Sequence, residues 1–89
     1  MTKNKTGESI IADLKEILKN LNTSFEVNKL NDNFDLFTYG ALDSLLMIQF
    51  VVAIETHYNI RLDNEDITYE KFRTFSDLSA LLSSKYLKK

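Results

Sequence analysis

Gly40-Ala41-Leu42-Asp43-Ser44-Leu45 is the stretch of this sequence whose residue types and order could do chemistry. An aspartate ahead of apolar helix formers is a strong N-cap, because its carboxylate accepts the free amides of the first turn. Asp43 is therefore expected to open a helix, with Ser44 in its first turn and Gly40 marking the turn before it. The Ser44 hydroxyl would then lie where unpaired N–H donors and the helix dipole stabilise an anion. A phosphodiester on this serine would sit in favourable electrostatics, and the serine need not be a strong nucleophile if a transferase supplies the base. Asp43-Ser44 also reads as a plain helix start, and the residues alone leave both readings open.

The other candidates are poorer. His57 is the one histidine, near the end of an apolar helix, and no nucleophile or orienting acid lies at a recognisable spacing from it. No histidine cluster suggests a metal. The run Asp63-Asn64-Glu65-Asp66 lacks the glycine and the distal glutamate of a calcium loop. It reads instead as a helix N-terminus with capping and dipole-compensating acids. Glycine-rich phosphate loops are absent, and with no cysteine a disulfide framework, a thiolate metal site and a cysteine nucleophile are excluded. The expectation is a protein that is not an enzyme and holds no metal.

The elements that must position Ser44 are helical. Proline is absent and there are two glycines, so helix breakers are scarce and an all-α fold is expected. Residues 1–5 are polar and read as a disordered tail, leaving residues 6–89 as one domain. From Thr6, a plausible N-cap, Ile10, Ile11, Leu14, Ile17, Leu18 and Leu21 recur at spacings of three and four, giving an amphipathic helix of about four turns. Residues 22–43 show no helical period, yet Phe25, Val27, Leu30, Phe34, Leu36, Phe37 and Tyr39 are spread through them. This is an ordered long loop pinned across the helices, with core packing expected for Tyr39. A second helix runs from Ser44 to about Tyr58. Eight of the nine residues Leu46–Ile54 are apolar, more than one face can bury, so the remainder must face something else. A short extended piece, Ile60-Arg61-Leu62, leads to a brief helix over about 65–72, capped by Asp63 or Asn64 and anchored by Ile67 and Phe72. Thr74 with Asp77 resembles a capping box for the last helix, whose apolar positions are Phe75, Leu78, Leu81, Leu82 and Tyr86. Lys85, Lys88 and Lys89 complement its C-terminal end. The architecture is three main helices plus one short one, with the longest loop between the first two.

Eighty-nine residues suffice for one small domain whose core must use its apolar residues well. The net charge of −2 is unevenly spread: residues 23–73 carry nine acidic and four basic side chains, so the middle of the chain is acidic. That argues against nucleic acid and for basic protein partners. No apolar run approaches a membrane span and no signal peptide is recognisable, so no membrane association and a cytoplasmic location are expected.

The sequence resembles the acyl carrier protein family, which includes aminoacyl and peptidyl carriers. Phe37-x-x-Gly40-Ala41-Leu42-Asp43-Ser44-Leu45 is similar to that family's loop into its Asp-Ser-Leu motif. Ile54-Glu55-Thr56-His57-Tyr58-Asn59-Ile60 resembles the exit of its second helix. Arg61 to Ile67 looks like the approach to its short third helix, and Phe72-x-Thr74-Phe75-x-Asp77-Leu78 like the start of its fourth. The likeness runs over about residues 8–87 and implies an antiparallel four-helix bundle. It also implies that Ser44 receives 4′-phosphopantetheine from coenzyme A through a phosphopantetheinyl transferase, with Asp43 capping the helix and aiding transferase recognition. The arm would hold acyl or aminoacyl groups as thioesters for a loading enzyme and a downstream synthase or transferase.

One departure matters. Many fatty-acid carriers display several acids on the second helix, whereas here Glu55 is the only one. The partner-facing residues expected are Leu45, Leu46, Met47, Ile48, Gln49, Val52, Glu55 and Arg61, although the apolar ones could instead serve as additional core or as an acyl-chain pocket. This points to a discrete carrier in a specialised pathway. The competing reading is a small helical interaction module without a prosthetic group.

Overall fold

The computed structural model describes residues 7–87, and within them every regular element is helical. The polar stretch at residues 1–5, the cap expected at Thr6, and Lys88 and Lys89 lie outside the described residues.

Helix α1 (Gly7–Leu21) forms as its spacing dictates. Ile10, Leu14 and Leu18 recur every four residues and are fully buried, with Glu8 in the first turn and Lys19 in the last. Helix α2 (Ser44–Tyr58) ends at Asn59, whose left-handed backbone (φ 58°) is a conformation that asparagine tolerates better than most residues. Helix α3 (Tyr69–Phe72) is a single turn, and α4 (Phe75–Leu81) runs on into a wide π turn over Leu82–Tyr86. The antiparallel bundle closes over Phe50, Val51 and Ile54 of α2, Phe72 of α3, and Phe75, Leu78 and Leu82 at the C-terminal end.

The long connection from α1 to α2 is ordered because it is tied at many points. One 3₁₀ turn, Val27–Lys29, plugs Val27 into the core. The Asn22 side chain donates to the Ala41 carbonyl (3.1 Å), joining the two ends of the loop. Lys15 donates to the Leu30 carbonyl (2.9 Å) and pairs with Asp32 (3.1 Å). The Leu36 amide donates to the Arg73 carbonyl (2.8 Å), and the Leu42 amide returns to the Leu36 carbonyl (2.9 Å). Leu36, Ala41 and Leu42 are buried and Phe25, Leu30, Phe34 and Phe37 half-buried, so the loop's apolar residues reach the core as their distribution implies.

Three details differ from the sequence reading. Tyr39 is not core: it is 64% exposed and lies against Phe34 with ring centroids 5.0 Å apart. The reason is Gly40, whose φ of 85° turns the chain so that Ala41 and Leu42, not Tyr39, enter the interior. The helix expected over 65–72 is broken into a 3₁₀ turn (Asn64–Asp66) and α3, because Ile67 leaves the helical region (φ −90°, ψ 76°). Thr68, not Asp63 or Asn64, caps α3, its hydroxyl oxygen accepting from the Lys71 amide at 3.2 Å.

The acidic run, third, does more than cap a helix. Asp66 is buried and accepts from Lys71 (2.9 Å), Lys85 (2.7 Å) and the Tyr86 hydroxyl. Lys85 lies in the last turn of the C-terminal helix, as expected. It turns back to Asp63, Glu65 and Asp66, at 3.0, 3.2 and 2.7 Å. The π turn over 82–86 presents Lys85 and Tyr86 together to this cluster, where Tyr86 also accepts from the Asp63 amide (2.9 Å). Lys85, with Tyr86 and Lys71, holds the Asp66 carboxyl well below its ordinary value, and Asp66 and Asp63 in turn raise Lys85 above its own.

Candidate functional site

The site is assembled by the last turn of the long loop. Gly40 adopts a left-handed φ where no neighbouring atom would obstruct a Cβ, so the requirement for glycine is conformational, not spatial. Ala41 and Leu42 are buried, which fixes the chain direction and leaves Asp43, Ser44 and Leu45 on the outside. Asp43 is extended (φ −138°, ψ −175°). Its carboxylate accepts from the Leu46 amide at 2.8 Å and its carbonyl from the Met47 amide at 2.8 Å. This is the N-cap anticipated from sequence.

Ser44 is the first residue of α2 and is exposed, and its hydroxyl has no partner among the described residues. The amides of Ser44 and Leu45 are likewise unpaired among the described residues, as the first amides of a helix must be unless something outside it accepts them. No acidic side chain lies in the first turn of α2, and the nearest one, Asp43, is engaged with Leu46. A phosphodiester on Ser44 thus meets two free donors and the positive end of a fifteen-residue helix. The residues present fit a phosphate-linked group.

The expected partner-facing residues separate into two sets. Leu45 (66%), Ile48 (63%) and Val52 (56%) are exposed large apolar side chains at spacings of three and four, and exposed Gln49 borders them. Leu46 and Met47 are half-buried and pack against the core. Glu55 is half-buried and accepts from the Leu62 amide at 2.9 Å, so it straps the α2 exit, while Arg61 is exposed beside it. From Ser44 to Ile54 no residue of α2 is charged, so the face next to the serine is apolar and neutral.

Sequence reasoning missed Asp35. Its carboxylate accepts the amides of Phe37 (3.1 Å) and Thr38 (3.0 Å) and lies 3.4 Å from the Tyr69 hydroxyl, tying the loop that leads into Ser44 to α3. The Thr38 amide above all, helped by Phe37 and the charge of Arg73, lowers the Asp35 carboxyl from its usual value. Phe37 and Tyr69 add a ring contact at 4.7 Å. The spacing Asp35-x-Phe37-Thr38 is a local signal for such a turn, whereas its partner Tyr69 has none. His57 lies 3.5 Å from Asp13, and Asp13 accepts from the Tyr58 hydroxyl at 2.7 Å, a link between α2 and α1 away from Ser44. The carboxylates of Asp63, Glu65 and Asp66 are close enough to share a cation, and the Lys85 ammonium stands among them.

No curated protein matches the chain. Residues 9–82 match the family profile described as the phosphopantetheine attachment site, a span that takes in most of α1, the long loop, Ser44 and α4. The chain therefore belongs to the phosphopantetheine-attachment family, whose members bear 4′-phosphopantetheine covalently on a serine.

Proposed function

We propose that Ser44 is the serine that bears the arm, and that the protein carries acyl or aminoacyl groups on it as thioesters for biosynthetic partner enzymes. One observation carries this reading. Within the matched span, Ser44 is the serine that opens a long helix behind an aspartate cap, exposed and next to unpaired amides. The arm, when attached, supplies a thiol that holds a carboxylic acid in activated form. What the chain itself contributes is placement. Asp43 fixes the first turn, Gly40 turns the loop into it, and the helix end stabilises the phosphate charge. Among the described residues none beside Ser44 is arranged as a base; in this reading the transferase supplies the proton acceptor, and chemistry on the cargo belongs to the partners.

The neutral stripe Leu45–Ile48–Val52 supports docking through apolar contact in place of charge. A carrier with so few acids on this face suits a small dedicated set of partners, as a discrete protein of a specialised pathway would have. The same stripe supports the second reading, an interaction module without a prosthetic group, and Ser44 separates the two.

Incubation with coenzyme A, magnesium and a broad-specificity phosphopantetheinyl transferase, followed by intact mass measurement, tests the proposal. A gain of one phosphopantetheinyl group is expected for the wild type and none for Ser44→Ala. A folded wild type that gains nothing with two different transferases would favour the interaction module.

A further inference from the structure

The interior beside α3 bears on the kind of cargo. Phe50 of α2 and Phe72 of α3 are both fully buried, and their rings meet edge to face with centroids 6.2 Å apart. Two aromatic rings that belong to the protein thus meet between these two helices. Phe75, Ile54 and Leu36, also fully buried, belong to the same core. Protein interiors are packed as densely as organic crystals, so an alkyl chain could enter here only by displacing rings or by moving α3.

Helix α3 is held at several points. Lys71 ties it to buried Asp66, Tyr69 lies against Phe37 and reaches Asp35, and the Arg73 carbonyl holds the Leu36 amide. A swing of α3 would break contacts to the loop that positions Ser44 as well as the Asp66 cluster. One groove along α3 and α4 sets the charged Glu70, Lys71, Arg73 and Asp77 beside Ala80 and Leu81, and another at the end of α2 has Glu55 and Arg61. A third, with Ile17, Leu21 and Ala53, lies between α1 and α2. All three are at the surface, where a long hydrocarbon would leave methylenes in water unless something apolar covered them.

Resting on the assignment of the arm to Ser44, we propose that the cargo is short or polar, a small carboxylic or amino acid, and that it stays outside the bundle. A cargo of this kind exposes little apolar surface and needs no cover. Its thioester remains open to the partner that docks on the neighbouring α2 face.

The test loads Ser44 from acetyl-, hexanoyl- and decanoyl-coenzyme A, confirms each product by intact mass, and records its melting temperature and the ring NMR signals of Phe50 and Phe72. The expected result is a melting temperature constant to about 1 °C, or falling, as the chain lengthens, with both rings unmoved. A melting temperature that climbs by several degrees with chain length, or Phe50 and Phe72 signals that shift with it, would overturn the proposal. Phe72→Leu, which vacates part of the ring's volume, should acquire the length-dependent rise that the wild type lacks. Absence of any mass gain would sink the Ser44 assignment itself, and this inference with it.

Discussion

At the scale of single residues the site separates capping from carrying. Asp43 holds the first turn of α2 through the Leu46 amide, while the Ser44 side chain holds nothing in place. Ser44→Ala should therefore change stability by less than about 0.5 kcal/mol while abolishing modification. Asp43→Ala should cost about 1 kcal/mol and slow the transferase, since a frayed first turn presents the serine in many orientations. Chemical denaturation and a timed mass assay check both. Gly40→Ala places a Cβ on a left-handed backbone, and about 1 kcal/mol of destabilisation is expected from strain, with no clash to relieve. Asp66 yields a pH prediction. Its folded pKa lies below that of a free carboxyl, so protons bind the unfolded chain more readily. Its stabilisation is therefore complete above roughly pH 4 and is lost as the pH falls toward the lowered value. Lys85 is the mirror case: raised, it contributes fully below roughly pH 10 and loses its contribution as the pH climbs past that. Asp66→Asn should lower the melting temperature at neutral pH and flatten its acid limb, and an acid limb as steep as that of the wild type would contradict the assignment. The cap at Asp43 was legible because N-cap chemistry is local. The bond from Asp66 to Lys85 joins residues 19 apart in sequence and had no local sign.

At the scale of elements, α2 combines two roles that composition alone could not assign. Its run of apolar residues shows that one face is surplus to the core, but which residues are surplus depends on where α1 and the loop sit. Phe50, Val51 and Ile54 go inward, Leu46 and Met47 pack half-buried, and Leu45, Ile48 and Val52 remain outside. Ile48→Ala or Val52→Ala should raise the KM of the loading enzyme by about tenfold and leave kcat near its wild-type value, as loss of an apolar contact would. Raising the salt should alter that KM by less than about twofold, because α2 carries no charge from Ser44 to Ile54 and Glu55, just beyond, is engaged by the Leu62 amide. A steep salt dependence would show that charges elsewhere do the docking. Helices α1 and α4 follow from their three-and-four spacing. The break at Ile67 and the cap at Thr68 do not, because a tertiary demand, burial of Asp66 against two lysines and a tyrosine, overrides the local pattern.

At the scale of the whole molecule, the radius of gyration is 12.1 Å, about that of a close-packed chain of this length. So small a bundle can hold a long, irregular first loop because that loop contributes Val27, Leu36, Ala41 and Leu42 to the core. Core substitutions should accordingly be expensive everywhere. Phe72→Ala is expected to cost about 3–5 kcal/mol and to loosen α3, which hydrogen exchange at Tyr69–Phe72 would register. Helix order and the capped serine could be read from sequence since both rest on periodicity and local chemistry. The ties that lock loop to helix, Leu36 to Arg73 and Asp35 to Tyr69, link distant positions and emerge only in three dimensions.

The central claim, that Ser44 bears the arm, is most directly tested on protein isolated from cells that express a phosphopantetheinyl transferase. Cleavage after Lys29 and Arg61 releases residues 30–61, in which Ser44 is the only serine. Tandem mass spectrometry of that peptide should find one phosphopantetheinyl group on Ser44. The same peptide unmodified, or the group on a different one, would contradict the account.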